Sequence, residues 1–265
     1  MERKAVKEFT FGSYNLRAGG LDDGHDDRLR HQLTVLTEVG ADAWAFQECT
    51  GWRAAGGRAL FTAERVLGMR GFVVPSSRHG CDLAVFVRES AGLRVTAEQH
   101  EQGHPYWHAV AYIAVATAWP GSSLHLASTH LAPSPTIRLA EAEALALIAH
   151  DGWVIVGGDW NALPATDPEP SLDGIDPADG RRTLDRSAAF ALEEAGFTDV
   201  GARLDDLRPT VGHADGLRYR RDRVYTTLPT ARFVRYDVVT EYEPASDHRP
   251  VVATFDLTDL RDRPT

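Results

Sequence analysis

Trp153-Val154-Ile155-Val156-Gly157-Gly158-Asp159-Trp160-Asn161 joins an apolar run to a polar end. The four apolar residues at its start are typical of a strand that is buried on both faces. Gly157 and Gly158 lack side chains, so the backbone can come close to a neighbour or a ligand there. Asp159 and Asn161 are two positions apart and point to the same side of an extended chain. The stretch therefore predicts a buried strand with a functional rim at its end.

Outward from this strand, period-two patterns and buried apolar runs predict further strands on both sides. The predicted strands are Phe9–Leu16, Ala41–Gln47, Gly71–Val74, Asp82–Val87, Leu93–Glu98, Trp107–Ala116, Leu124–Thr129, Trp153–Val156, Arg223–Thr227, Arg232–Val239 and Val251–Phe255.

Apolar residues at helical spacing, with glycine as a stop signal at several ends, predict four helices. These helices are Asp26–Val39, Ala54–Leu67, Thr136–His150 and Ser187–Ala195. The helices do not alternate strictly with the strands, which indicates a mixed α/β (α+β) fold with antiparallel pairing. Residues 164–180 are rich in Pro, Asp and Gly, and strand patterns resume after them. We interpret this segment as a surface insertion and residues 1–265 as one domain.

Composition narrows the classes of function. The 265 residues carry a formal net charge of −10, which excludes a protein that coats nucleic acid through overall positive charge. It does not exclude a nuclease with a local basic site. The hydrophobic fraction of 43% and charged fraction of 25% are those of an ordinary globular protein.

The sequence also bears on compartment. No apolar run is long enough to cross a membrane, and the N-terminus lacks the apolar core of a signal peptide. Cys49 and Cys81 are too few for a disulfide framework, and two reduced thiols fit a cytoplasmic protein. We expect a cytoplasmic location, no membrane association and a monomer.

Five short polar segments flank the apolar strands, where side chains can reach a rim while the strand stays buried. They are Tyr14-Asn15-Leu16-Arg17, Phe46-Gln47-Glu48, Ser128-Thr129-His130-Leu131, Gly157-Gly158-Asp159-Trp160-Asn161 and Ser246-Asp247-His248-Arg249-Pro250. Taken singly, each has an ordinary explanation: Asn15 as a turn residue, Glu48 as a solvated acid, His130 as a strand-end histidine. The argument for function rests on the whole set.

Together with Arg220-Arg221-Asp222-Arg223-Val224-Tyr225, these segments resemble the motifs of the endonuclease/exonuclease/phosphatase superfamily, over Phe9 to Phe255. The resemblance implies two mixed β-sheets packed face to face, with helices on the outer faces. It also implies metal-dependent hydrolysis of phosphodiester bonds.

Phosphodiester hydrolysis benefits from a hard cation that neutralises developing charge. Such cations prefer carboxylate and amide oxygens, so Mg²⁺ or Mn²⁺ is the expected cofactor. Glu48 is the first choice of ligand, with Asn15 and Asp247 beside it.

The resemblance extends to the catalytic groups. It implies that Asp159 orients the attacking water and takes its proton, and that Asn161 and His248 hold phosphate oxygens. Asp222 resembles the partner that orients His248 and favours its cation. His130 matches the histidine that nucleases of the family place on the phosphate or leaving group.

Two other chemistries find no support. The pair His104/His108 is interrupted by Pro105, which disfavours a zinc site on a shared helical face. Gly157-Gly158 is not followed by Lys-Ser/Thr and is therefore not a P-loop.

The substrate is less determined than the chemistry. Arg17 and the four arginines of segment 218–223, Arg221 among them, form either a local anion-binding surface or a solvated strand edge. The acidic segment 21–27 either caps the next helix, the interpretation we favour, or repels a long duplex. The strand that begins at Tyr106 lacks the arginine found in many nucleases of the family. Trp107 and Trp160 could stack on an unpaired base, although core aromatics are more common. We expect a nuclease acting on DNA or RNA, with a phosphatase or phosphodiesterase of small or lipid phosphates as the alternative.

Overall fold

Two β-sheets form the centre of the computed structural model, which describes residues 8–89, 93–117, 123–213, 216–240 and 245–261. The strands within these ranges are β1 (Glu8–Asn15), β2 (Ala43–Gln47), β3 (Arg70–Val74), β4 (Leu83–Val87), β5 (Arg94–Glu98), β6 (Glu101–Gln102), β7 (Ala109–Ala116), β8 (Ser123–His130), β9 (Trp153–Asp159), β10 (Thr198–Asp199), β11 (Asp222–Thr226), β12 (Phe233–Val238) and β13 (Val251–Asp256).

One sheet has the order β12-β13-β1-β2-β4-β3 and the other the order β10-β11-β9-β8-β7-β5, with β6 paired to β7. Both sheets are mixed: β1 and β2 are parallel, as are β8 and β9, and the remaining pairs are antiparallel. The predicted mixed α/β class is confirmed.

The helices are α1 (Asp27–Val39), α2 (Arg58–Leu67), α3 (Pro135–Ala146), α4 (Pro177–Leu184), α5 (Ser187–Glu194) and α6 (Val200–Arg203). Helices α1 and α2 bury their apolar faces against the outer side of the first sheet, around Trp44 and Phe86. Helices α3 and α5 do the same on the second sheet, around Val154 and Tyr225. A third apolar cluster fills the space between the sheets. The fold is thus the predicted four-layer sandwich.

At Gly157 the second sheet packs tightly against the first. A Cβ atom there would lie 2.6 Å from Cβ of Ser13 and 3.0 Å from Cβ of Ala45, on β1 and β2 of the opposite sheet. A side chain at this position would push the layers apart. The glycine therefore permits the close backbone approach that the sequence predicted, two residues before Asp159.

Several predicted boundaries were wrong for local reasons. Helix α2 begins at Arg58 because Gly56 and Gly57 adopt left-handed backbone conformations, with φ of 69° and 79°. Helix α3 ends at Ala146, and a 3₁₀ turn continues the chain to Asp151.

The strands β6 and β10 have two residues each, too few to show a period, and were missed. Helix α4 was also missed. It begins inside segment 164–180, where the Asp176 side chain caps it by accepting hydrogen bonds from the backbone N–H groups of Ala178 and Asp179.

None of the helices formed by the described residues has the length and apolar character needed to cross a bilayer. Both cysteines are free thiols, with Cys49 buried and Cys81 half-buried.

Candidate active site

The polar strand ends meet at one edge of the sandwich, and β9 forms the centre of that edge. Its last residue, Asp159, is the register partner of His130 on the parallel strand β8 and of Asp222 on the antiparallel strand β11. Asn15 ends β1 of the opposite sheet, and its side chain reaches across to Asp159.

Asp159 is almost fully buried, with a side chain 2% exposed. Its Oδ2 atom accepts a hydrogen bond from Nδ2 of Asn15 at 3.1 Å. The same oxygen lies 3.4 Å from Nε2 of His130 and 3.7 Å from Nε2 of His248. Burial alone would raise the pKa of Asp159, but His130, His248 and Arg221 outweigh it and lower the pKa to about 2. Asp159 is therefore an anion at neutral pH.

His248 and Asp222 form the expected contact. Nδ1 of His248 lies 2.9 Å from both carboxylate oxygens of Asp222, and Oγ1 of Thr210 donates to Asp222 Oδ2 at 2.7 Å. Burial disfavours the imidazolium, yet Asp222 and then Asp159 outweigh it and raise the pKa of His248 to about 9. Asp222 thus fixes the ring through Nδ1 and leaves Nε2 directed toward the Asp159 side of the site.

Two of the predicted metal ligands, Glu48 and Asp247, are partly exposed, and the third, Asn15, is buried. Glu48 is half-buried; its Oε1 accepts from Nδ2 of Asn15 at 3.1 Å and its Oε2 from the backbone N–H of Ala18 at 2.9 Å. The Asp247 side chain is 54% exposed and lies 4.0 Å from Nε of Arg17. The Glu48 and Asp247 carboxylates, and Oδ1 of the buried Asn15, which also accepts from the backbone N–H of Arg17 at 2.9 Å, are oxygen donors of the kind that Mg²⁺ or Mn²⁺ prefers. The residues therefore fit a hard divalent cation.

A second group of potential ligands comprises Asp159, Asp222 and His248, whose donor atoms lie within 4.8 Å of one another. In this group the Asp222 oxygens already accept hydrogen bonds from His248 and Thr210. A metal bound there would have to break these bonds in a fully buried place. The Glu48 carboxylate also accepts two hydrogen bonds, but Glu48 and Asp247 are partly exposed, so the Glu48 side of the site is the better candidate for a cation.

Three predicted site residues have strained backbones. Arg17, Glu48 and Asn161 adopt positive φ angles of 54°, 55° and 48°. Such conformations cost non-glycine residues of the order of 1 kcal/mol or more and persist where the surroundings hold them. Two hydrogen bonds hold Asn161 in this conformation: its Nδ2 donates to the Leu131 carbonyl at 2.8 Å, and its backbone N–H donates to Asp159 Oδ1 at 3.1 Å.

The prediction of an arginine-lined surface was wrong for two of the four arginines. Arg220 is buried and pairs with Asp167 and Asp199, at 2.6 and 2.8 Å. Arg223 is buried and donates to the Ala162 carbonyl at 2.9 Å. Arg221 is the arginine that lies beside Asn161, in a polar cavity of about 300 Å³. Its Nε donates to the Tyr219 hydroxyl at 2.6 Å, which orients the guanidinium.

The acidic segment before α1 does not cap that helix as predicted. Asp26 occupies the N-cap position, but its side chain makes no capping hydrogen bond and pairs with Arg30 at 2.8 Å. Asp22 pairs with Arg28 at 2.9 Å. Arginines in the first turn of the helix, Arg28 and Arg30, bind these carboxylates instead. Asp27, in the first turn, still complements the helix dipole.

Trp160 cannot serve as a stacking platform. Its ring is 1% exposed and packs edge-on against Tyr225 in the core, with centroids 4.7 Å apart. Trp107 is half-buried and lines a surface cavity.

Two residues near the site were missed. The His108 ring stacks on His130, with centroids 4.6 Å apart, and burial followed by the His130 charge lowers its pKa to about 3. Glu141 is buried on α3, and its two oxygens accept from the backbone N–H groups of Trp107 and Ala132, each at 2.6 Å. Glu141 thereby ties the loop of His108 to the loop of His130. No local pattern predicts this contact, because Glu141 lies on a helix whose spacing resembles that of any surface helix.

Known proteins provide an independent comparison. The model of the endonuclease/exonuclease/phosphatase family matches residues 12–248. No curated protein matches the chain by sequence. Solved structures with a similar fold include D. rerio TDP2 complexed with single strand DNA product, at 17% identity and a TM-score of 0.69, covering 94% of this chain and 99% of that one. An AP endonuclease from Archaeoglobus fulgidus is 18% identical with a TM-score of 0.68, and the match covers 94% of this chain and 99% of that one. The human Nocturnin catalytic domain with bound sulfate is 15% identical with a TM-score of 0.68, and the match covers 95% of this chain and 94% of that one.

These identities establish a shared fold, and the family match covers most of the chain, including every predicted site residue from Asn15 to His248. The predicted fold and the predicted enzyme class are confirmed at that level. The chain belongs to the endonuclease/exonuclease/phosphatase family, a family of divalent-metal-dependent phosphoesterases.

Proposed function

We propose that the protein is a Mg²⁺- or Mn²⁺-dependent nuclease that hydrolyses phosphodiester bonds of DNA or RNA. One observation carries the proposal: the buried Asp159 carboxylate lies between His130 and His248, at 3.4 and 3.7 Å, at an edge that also holds Glu48 and Arg221. This arrangement provides an anion to hold a water molecule, and the cationic His248 and Arg221 to bind a phosphate.

Asp159 orients the attacking water through its carboxylate. The pKa of about 2 keeps this carboxylate ionised at neutral pH, so it can accept a hydrogen bond from the water and take its proton as the new P–O bond forms. The Asn15 amide and the backbone N–H of Asn161 fix the carboxylate for this task.

His248 supplies positive charge where the phosphate gains negative charge. Asp222 keeps the ring cationic and aims Nε2 into the site, so its N–H can donate to a non-bridging phosphate oxygen. The Asn161 side chain contributes a second donor to the phosphate. His130, on the other side of Asp159, contacts the phosphate or the leaving oxygen.

The metal site comprises Glu48, Asp247 and Asn15. A divalent cation bound there supplies Lewis-acid stabilisation of charge on the phosphate and the leaving oxygen. Hydrogen bonds from Asn15 and Ala18 fix the orientation of the Glu48 carboxylate. Arg17 and Arg221 bind the substrate anion at the two sides of the site.

A small phosphate ester is the second candidate substrate. The observation that favours it is the burial of Arg220 and Arg223, which leaves less positive surface for a long backbone than the sequence suggests. A solved structure of similar fold is that of ANGEL2, a 2',3'-cyclic phosphatase, with a TM-score of 0.67 at 14% identity. A cytoplasmic location and a monomeric state remain predictions.

A substrate panel separates the candidates. Purified protein is incubated with plasmid, single-stranded DNA, RNA and small phosphate esters, with Mg²⁺, Mn²⁺ or a chelator, and Asp159→Asn serves as the inactive control. We expect metal-dependent cleavage of at least one nucleic acid, absent in Asp159→Asn. Turnover of phosphate esters without cleavage of any nucleic acid would establish the second candidate instead.

A further inference from the structure

A cavity of about 420 Å³ is lined by residues that the mechanism does not use. Its walls come from the loop after β3, the loop before β7 and the first turns of α3. The lining is mostly apolar and includes Tyr106, Trp107, Ile137 and Ala140, together with the basic residues Arg78 and His104. This volume lies within the range of cavities that bind small molecules.

One wall of the cavity consists of the Trp107 ring and the Arg78 guanidinium. The Arg78 guanidinium carbon lies 4.9 Å from the centroid of the Trp107 ring, within the range of a cation–π contact. Aromatic rings and guanidinium planes are the surfaces on which proteins stack unpaired nucleobases. A flat heterocycle can stack on the rings of such a surface, whereas a sugar cannot, and the Arg78 guanidinium can also contact a neighbouring phosphate.

Contacts also link the wall of the cavity to the catalytic residues. Trp107 directly precedes His108, whose ring stacks at 4.6 Å on His130, and His130 lies 3.4 Å from Asp159. The backbone N–H of Trp107 is anchored to the buried Glu141 at 2.6 Å, which holds this wall in place. The Trp107 wall of the cavity is therefore linked to Asp159 through the adjacent His108 and its contact with His130.

We propose that Trp107 and Arg78 form a binding subsite for one unpaired nucleobase that flanks the cleaved phosphodiester. The inference rests on the proposed nuclease function and specifies its substrate. A base in a duplex would first have to leave its stack, which costs a few kcal/mol. The protein therefore prefers single-stranded nucleic acid over duplex of the same sequence.

The test uses single-stranded nonamers, DNA or RNA as the panel decides, in which phosphorothioates protect every linkage except the central one. In separate substrates, one base at a time is removed from the two positions on either side of that linkage. At one of these positions we expect removal of the base to lower kcat/KM of the wild-type enzyme by about 5- to 150-fold. In Trp107→Ala the kcat/KM for the intact substrate, divided by that for the abasic substrate, should fall to about one. In Trp107→Phe this ratio should lie between one and the wild-type value.

The matched control is Phe61→Ala, which removes a ring that is 61% exposed on α2, outside the residues that line the cavity. It should keep the wild-type ratio. Arg78→Gln provides a second variant in case Trp107→Ala does not fold, and should lower the ratio in the same direction.

Two outcomes overturn the inference in different ways. If the wild-type enzyme cleaves the nonamers but tolerates every abasic position, or if Trp107→Ala keeps the full ratio, the subsite is wrong while the nuclease function stands. If the wild-type enzyme cleaves no nucleic acid and hydrolyses only small phosphate esters, the nuclease function fails and the base subsite fails with it.

Discussion

Replacement of Asp222 by Asn tests the electrostatic core of the mechanism. The substitution preserves shape and removes the charge next to His248 Nδ1, at 2.9 Å. With Asp222 present, the pKa of His248 is about 9, so more than about nine-tenths of the rings are cationic at pH 7.5. Without it, burial is no longer offset by that carboxylate, and the pKa falls toward or below the ordinary value of 6.5. The cationic fraction then drops to about a tenth or less.

Besides losing its positive charge, the His248 ring loses its fixed orientation. The Asn side chain can present an N–H group to Nδ1 and so favour the other tautomer of the ring. We expect kcat to fall by about 10²- to 10⁴-fold. The alkaline limb of the kcat profile, near pH 9 in the wild-type enzyme, should move to lower pH. The assay is initial rate against pH from 5 to 10 at saturating metal and substrate.

The same change has a signature in stability. Because the folded-state pKa of His248 is raised, its contribution is fully present below pH 6.5 and is lost as the pH rises to about 9. The free energy of unfolding of the wild-type protein should therefore fall across this window relative to that of Asp222→Asn. Asp237→Asn, which removes an exposed carboxylate paired with Arg208, is the matched control. A near-normal kcat with an unchanged pH profile in Asp222→Asn would show that Asp222 is only structural.

Three further predictions concern other parts of the molecule. Glu48→Gln should abolish hydrolysis dependent on Mg²⁺ or Mn²⁺ while circular dichroism shows an intact fold, and full activity of chelator-treated wild-type protein would contradict the metal assignment. Burial raises the pKa of Glu141 to about 7, so folding favours its protonated form, and the free energy of unfolding should fall between pH 4.5 and 7 relative to Glu141→Gln. Urea titrations at both pH values measure this difference, which is at most roughly 3 kcal/mol. An equal change in the free energy of unfolding between the two pH values in both proteins would refute the prediction. Arg220→Met leaves two buried aspartates unpaired and should destabilise the fold by about 3–5 kcal/mol, whereas Met at the exposed Arg181 should cost little.

Local sequence patterns predicted those features that depend on one strand or helix at a time. The apolar run Trp153–Val156 indicated a strand buried on both faces, and its polar end indicated a rim, because both properties follow from side-chain alternation within the strand. Patterns of this kind contain no information on partners from distant segments. Arg220 illustrates the limit: its ion pairs come from Asp167 and Asp199, more than twenty positions upstream. The sequence therefore placed it at a surface when the fold buries it.

Strand register explains why the site itself was more predictable than its surroundings. In β9, Asp159 is paired with His130 on one side and Asp222 on the other, so one register brings three site residues together. A slip of one residue would turn Asp159 to the opposite face and separate all three side chains. Gly157 helps to fix that register, since only a residue without a side chain fits against Ser13 and Ala45. A motif such as Gly-Gly-Asp-x-Asn thus combines the chemical group with the packing that places it. Trp107 and Glu141 belong to no such motif, because their contact depends on how a loop and a helix from different parts of the chain meet.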